Sequence, residues 1–143
     1  MADCRAFLAQ SLGVKANEIY FTAGGTEADN WALTAAAEAC TAKGKHIITS
    51  KIEHHAVLHT CQALEKEGFT VTLLDVHEDG MVSAQQVEEA ITPETCLVTI
   101  MYANNEIGTV QPIAEIGEVC RRHRVLFHTD AVQAVGHVSV DVV

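Results

Sequence analysis

Four short stretches carry the side chains capable of chemistry: Gly24-Gly25-Thr26, Glu53-His54-His55, Asn104-Asn105-Glu106 and Asp130-Ala131-Val132-Gln133. The first lies between an apolar run at 18–22 and a long alanine-rich run that reads as a helix to about residue 43. Two glycines there let the backbone turn and expose its N–H groups, and the helix behind them offers unpaired donors and the positive end of its dipole. A phosphate suits that position, with the Thr26 hydroxyl as a further donor. The same residues also read as a plain tight turn, with Thr26-x-x-Asp29 as a capping box. His54 brings a group that titrates near neutral pH, Asn105 and Gln133 bring amides, and Asp130 brings a carboxylate. Taken singly, each has a structural reading: His54 starts a helix, Asn105 sits in a turn, and Asp130 caps a helix. Glu53 and Glu106 read as solvated loop charges. His55 and His59 have the i, i+4 spacing of metal ligands, with Cys61 nearby. No glutamate lies between them and no third ligand stands out, so no metal site is expected.

Alternating strands and helices would have to position these residues. Cys4, Phe7, Leu8 and Leu12 keep helical spacing up to Gly13. Residues 18–22 read as an opening strand, 46–50 as a second and 69–74 as a third. Val57, Cys61 and Leu64 line one face of the helix between the last two, which stops at Gly68. Asp79-Gly80 is a turn, and Ser83-x-x-Gln86 caps a helix to about residue 91, before Pro93. Residues 95–103 form a near-continuous apolar run, the pattern of a parallel strand covered on both faces. Pro112 suits the first turn of a helix whose buried face is Ile113, Ile116, Val119 and Cys120. Residues 125–129 are the last clear strand. The pattern predicts an α/β fold with a mostly parallel sheet, in which ligands bind beyond the carboxyl ends of the strands. All four polar stretches stand at such ends.

At 143 residues and 48% hydrophobic content the chain is one domain or part of one, with enough apolar material for a core. A net charge of -10 argues against nucleic acid or an anionic membrane as partner. No apolar run has the length of a membrane span, and the first residues do not form a signal peptide. The five cysteines are scattered, odd in number and without Cys-x-x-Cys, as expected of thiols in a reducing, cytoplasmic setting.

Phe21-Thr-Ala-Gly-Gly-Thr-Glu-Ala-Asp-Asn30, Glu53-His-His-Ala-Val-Leu58, Asn104-Asn-Glu-Ile-Gly-Thr-Val-Gln-Pro-Ile113 and His128-Thr-Asp-Ala-Val-Gln-Ala-Val-Gly136 resemble, in order, consecutive motifs of the cysteine desulfurases. These are pyridoxal-phosphate (PLP) enzymes of the class V aminotransferase family. The Asn104–Gln111 stretch resembles the branch tied to iron–sulfur cluster assembly and nitrogen fixation. The resemblance implies removal of sulfur from L-cysteine to give alanine and an enzyme persulfide, in a homodimer that serves a sulfur acceptor or scaffold protein. It implies that Gly25 and Thr26 hold the PLP phosphate, that His54 stacks on the ring and helps move protons, and that Asp130 pairs with the protonated ring nitrogen. Gln133 would bond the ring's phenolic oxygen, and Asn105 would face the substrate carboxylate. The chemistry asks for these types: a carboxylate raises the ring nitrogen's pKa, and a charge-assisted hydrogen bond contributes about 1.5–3 kcal/mol.

The resemblance also implies parts that residues 1–143 do not supply. The family's Schiff-base lysine sits in a Ser-x-His-Lys motif beyond Val143, so none of Lys15, Lys43, Lys45, Lys51 and Lys66 is expected in that role. The sulfur-carrying cysteine and a small C-terminal domain come later still. On this reading residues 1–143 are a partial PLP-binding large domain, holding the first five of seven strands ordered 3-2-4-5-6-7-1. The alternatives are another class V enzyme, such as a selenocysteine lyase or a small-substrate aminotransferase, or a non-catalytic unit that binds a phosphate ligand or a partner chain.

Overall fold

The computed structural model describes residues 2–140. Its elements are α1 (Ala2–Ser11), a 3-10 turn (Ala16–Glu18), α2 (Gly25–Ala39), β1 (His46–Ser50), α3 (His55–Lys66), β2 (Thr70–Leu74), α4 (Ala84–Ala90), β3 (Thr95–Thr99), α5 (Ile113–Arg122) and β4 (Leu126–His128). The four strands are all parallel, in the order β2-β1-β3-β4. The α/β expectation therefore holds.

Period-two alternation decides which core each strand residue joins. Ile47 and Leu97 face the layer of α2 and α3, where they pack with Leu33, Ala37, Val57, Cys61 and Leu64. Ile48 and Val98 face the other layer, with Val87, Ile116, Val119 and Cys120 from α4 and α5. The central strands β1 and β3 are buried along their whole length, whereas β2 and β4 are the half-exposed edges. Ser83 caps α4 as its sequence predicts: its hydroxyl accepts the Gln86 N–H at 3.1 Å, and the Gln86 carboxamide oxygen accepts the Ser83 N–H at 2.8 Å.

Several expectations need correction. Residues 18–22 form no strand: a 3-10 turn takes Glu18, and the extended stretch after it pairs with no strand among the described residues. Apolar alternation makes a chain extended, but only a neighbour with matching backbone groups makes it a strand. α2 ends at Ala39 rather than about 43, followed by turns. The strand expected over 95–103 stops at Thr99. Beyond it the chain still leans on its neighbour, because the Ile100 N–H bonds the His128 carbonyl (3.2 Å) and the Tyr102 N–H the Asp130 carbonyl (2.8 Å). Pro112 is the N-cap of α5, one position before the helical first turn.

Candidate active-site cleft

The carboxyl ends of β1, β3 and β4 and the N-terminus of α2 converge on one cleft of about 230 Å³. It is lined by Gly25, Thr26, Asp29, His54, Met101, Ala103, Asn105, Asp130, Val132 and Gln133. All six candidate residues from the sequence, Gly25, Thr26, His54, Asn105, Asp130 and Gln133, lie on its wall.

The two glycines are not equivalent. A Cβ on Gly24 would meet nothing within 4 Å, and its extended backbone suits any residue. A Cβ on Gly25 would come within 2.8 Å of Val132 Cγ2, so a side chain there would force the start of α2 or the Val132 side chain in the turn after β4 to shift. The expected capping box of Thr26 and Asp29 does not form. The turn is held instead by the Thr22 hydroxyl, which donates to the Gly24 carbonyl (3.0 Å), and by Glu27, whose carboxylate accepts the Ala23 N–H (2.6 Å). Asp29 is thereby released to face the cleft. Thr26 is exposed at the first turn, where helical N–H groups have no partner within the helix.

His54 is both a helix-start residue and a cleft residue. Its Nδ1 accepts the Ala56 N–H at 3.1 Å, so the neutral ring carries its proton on Nε2. Of the two adjacent asparagines, Asn104 is the turn residue. Its carboxamide oxygen accepts the Glu106 and Ile107 N–H groups (2.8 and 3.0 Å) while its amide donates to the Ile52 carbonyl (2.9 Å). Asn105 is left exposed on the cleft wall. Asp130 is buried, and its Oδ1 accepts the Val132 N–H at 3.0 Å.

Two acids deserve more weight than their sequence gave them. Asp29 is 5% exposed, with one carboxyl oxygen within 4.8 Å of both an Asp130 oxygen and a His54 ring nitrogen. Burial above all, and then Asp130, push its pKa up to about 6, against the opposing pull of His54. A signal was available: Asp29 is four residues after Gly25 and so lies on the same helix face as the glycine. Glu53, read as a solvated loop charge, is buried instead. Its Oε1 accepts the Ser50 hydroxyl (2.5 Å) and the Met101 N–H (3.0 Å), clasping the ends of β1 and β3, while Oε2 has no partner among the described residues. Burial pushes its pKa up to about 7 despite those bonds. Nothing at the sequence level marked it beyond its place beside His54.

His55 and His59 stack at 5.4 Å between ring centroids. The buried thiols are inert: burial pushes Cys61 up to about 12 and Cys120 up to about 11, far from the thiolate a nucleophile needs.

The model of the class-V aminotransferases matches residues 1–143. The chain belongs to the class-V aminotransferase family. Among members of that family it is 60% identical over 138 residues to a cysteine desulfurase IscS of Clostridium botulinum, covering 96% of this chain and 35% of that protein. It is 61% identical over 134 residues to the IscS of Methanosarcina thermophila, covering 94% of this chain and 33% of that one. The chain thus spans about a third of the length of these curated relatives. Among solved structures, that of SspA in complex with cysteine aligns with a TM-score of 0.94 at 48% identity, over 99% of this chain and 41% of that one. The fold of this chain is that of the PLP-dependent enzymes of fold type I.

Proposed function

We propose that residues 1–143 are part of the cofactor-binding large domain of a PLP-dependent cysteine desulfurase. The observation that carries this reading is the convergence of Gly25, Thr26, His54, Asn105, Asp130 and Gln133 on one cleft, together with the desulfurase relatives. The cleft's chemistry fits the cofactor: a helix start left clear by Gly25 suits a phosphate, and a buried carboxylate suits a ring cation.

The α2 N–H groups and the Thr26 hydroxyl would hold the phosphate. His54, its Nδ1 engaged with the Ala56 N–H, would lie against the ring with its Nε2 proton available for exchange. Asp130, with Oδ1 anchored by the Val132 N–H, would pair with the ring nitrogen; Gln133 would donate to the phenolic oxygen, and Asn105 would receive the substrate carboxylate. Bound PLP supplies an electron sink for the electrons released at the substrate's α-carbon. The inert buried thiols leave the sulfur-accepting role to a cysteine outside this core. The same reading takes the whole enzyme to be a cytoplasmic homodimer that passes sulfur to an acceptor or scaffold protein for iron–sulfur cluster assembly. Among the described residues no helix is long and apolar enough to cross a membrane.

The test joins residues 1–143 to the remaining portion of a curated relative and measures sulfide and alanine formed from L-cysteine with PLP. Activity is expected, and Asp130→Asn should reduce turnover about 10- to 100-fold at matched PLP occupancy, because a neutral amide fills the space without favouring the ring-nitrogen proton. Near-normal turnover in the variant removes Asp130 from its assigned role. Activity toward selenocysteine alone redirects the reading to a lyase.

A further inference from the structure

The assignments above leave Asp29 without a role, although it is the most buried acid lining the cleft. The groups facing it come from three directions: His54 from the start of α3, Asp130 and His128 from the end of β4, and Glu53 from beyond β1. Two carboxyls with oxygens within 4.8 Å of each other in a half-dry cleft resist being ionised together. They differ in support. Asp130 accepts a backbone N–H at 3.0 Å, from Val132. Beside Asp29 stands His128 Nε2 at 3.6 Å, long for a hydrogen bond. Burial also lowers the pKa of His128, which disfavours the cation that would hold Asp29 ionised. Its Nδ1 is already engaged with the Thr99 hydroxyl at 2.8 Å. The proton of the pair therefore belongs to Asp29.

We propose that Asp29 is a positioning residue for Asp130: it holds a proton while the cleft contains no cation and releases that proton to solvent when a cation is seated against Asp130. The charge of the cleft then changes less than the charge of what enters it. The step breaks one O–H bond, with no change of oxidation state. It rests on the cofactor reading in one respect, the nature of the cation, taken as a protonated ring nitrogen.

The test is carboxyl NMR of the full chain labelled with [13Cγ]aspartate, with Asp29 assigned by the signal lost in Asp29→Asn. The expected midpoint is near pH 6, falling toward the ordinary carboxylate range in Asp130→Asn. Saturating PLP should lower the midpoint, whereas inorganic phosphate, which brings no ring cation, should not. An ordinary midpoint for Asp29 in the unmodified chain overturns the proposal, as does indifference to Asp130→Asn or to bound PLP. If Asp130→Asn does not fold, the unmodified midpoint decides. A raised, Asp130-dependent midpoint in residues 1–143 joined to the remaining portion of a curated relative, with no PLP binding by absorbance in that joined protein, leaves the carboxyl pairing standing and sinks the cofactor reading instead.

Discussion

The two ends of the sheet bury ionisable groups in opposite ways. At the amino end, His46 bonds through Nδ1 to the Thr95 hydroxyl (2.7 Å) and through Nε2 to the Thr72 hydroxyl (2.9 Å). Both ring nitrogens are satisfied, and burial lowers the pKa so that the neutral form persists. At the carboxyl end, Glu53 keeps an oxygen without a partner among the described residues, Asp29 stands next to a second carboxyl, and both acids have raised pKa values. A fold can evidently satisfy a buried titratable group when only stability is at stake. Groups left dissatisfied at the end where ligands bind in such sheets mark a surface shaped for something that arrives later.

The largest test of that contrast is Gly25→Val. Its Cβ would collide with Val132, and the displaced start of α2 should weaken binding of phosphate or PLP by ~10-fold or more, read by titration calorimetry. Gly24→Ala, with open space around it, should change binding little. Equal losses in the two variants would show that close approach to Val132 is not what the cleft requires.

His46→Ala should lower stability by about 1–3 kcal/mol in urea unfolding, since it removes a buried ring and its hydrogen bonds to the buried Thr95 and half-buried Thr72 hydroxyls. Glu53→Gln should act the other way at alkaline pH. Folding raises the Glu53 pKa from 4.5 to about 7. Its proton is therefore bound more tightly in the folded state, and the associated stability is whole below the unfolded value and lost as pH rises through about 7. The glutamine oxygen can still accept from Ser50 and Met101 without ionising. At about pH 8 the variant is expected to be more stable than the parent by ~1–2 kcal/mol, an advantage that vanishes by about pH 5. A Glu53→Gln protein less stable at both values would mean that the clasp needs a carboxylate.

The smallest effect is the pH profile of the unmodified chain. Asp29 and Glu53 add stability as pH falls toward their unfolded values. His46 and His128, with lowered pKa values, lose theirs as pH falls below about 6.5. The opposed slopes should give a shallow profile across pH 5–7, steepened on the acid side by Glu53→Gln. A steep monotonic rise through that window would place the controlling groups elsewhere.

The layers of the fold were legible because each obeys a short-range rule. Ile47 and Ile48 alternate between two cores, Ser83 and Gln86 form a reciprocal cap, and strand ends in a parallel sheet collect polar residues. The misreadings share a cause. Whether residues 18–22 pair, whether Asp29 caps its own helix or faces the cleft, and whether Glu53 is wet or dry all depend on elements distant in sequence. Asn104 and Asn105 make the same point within one dipeptide, since Asn104 is tied to the distant carbonyl of Ile52 as well as to its own turn, and Asn105 is left on the cleft wall.

The near-contact of Gly25 with Val132 joins residues more than a hundred positions apart. Such a contact comes late in folding, because long loops must close before it is rewarded. During synthesis the helix start emerges early and waits, its exposed amides solvated, until β4 and the turn after it leave the ribosome. The cleft is thus a record of completion: a chain interrupted before Asp130 can build both hydrophobic layers in outline and still lack the wall formed by Asp130, Val132 and Gln133.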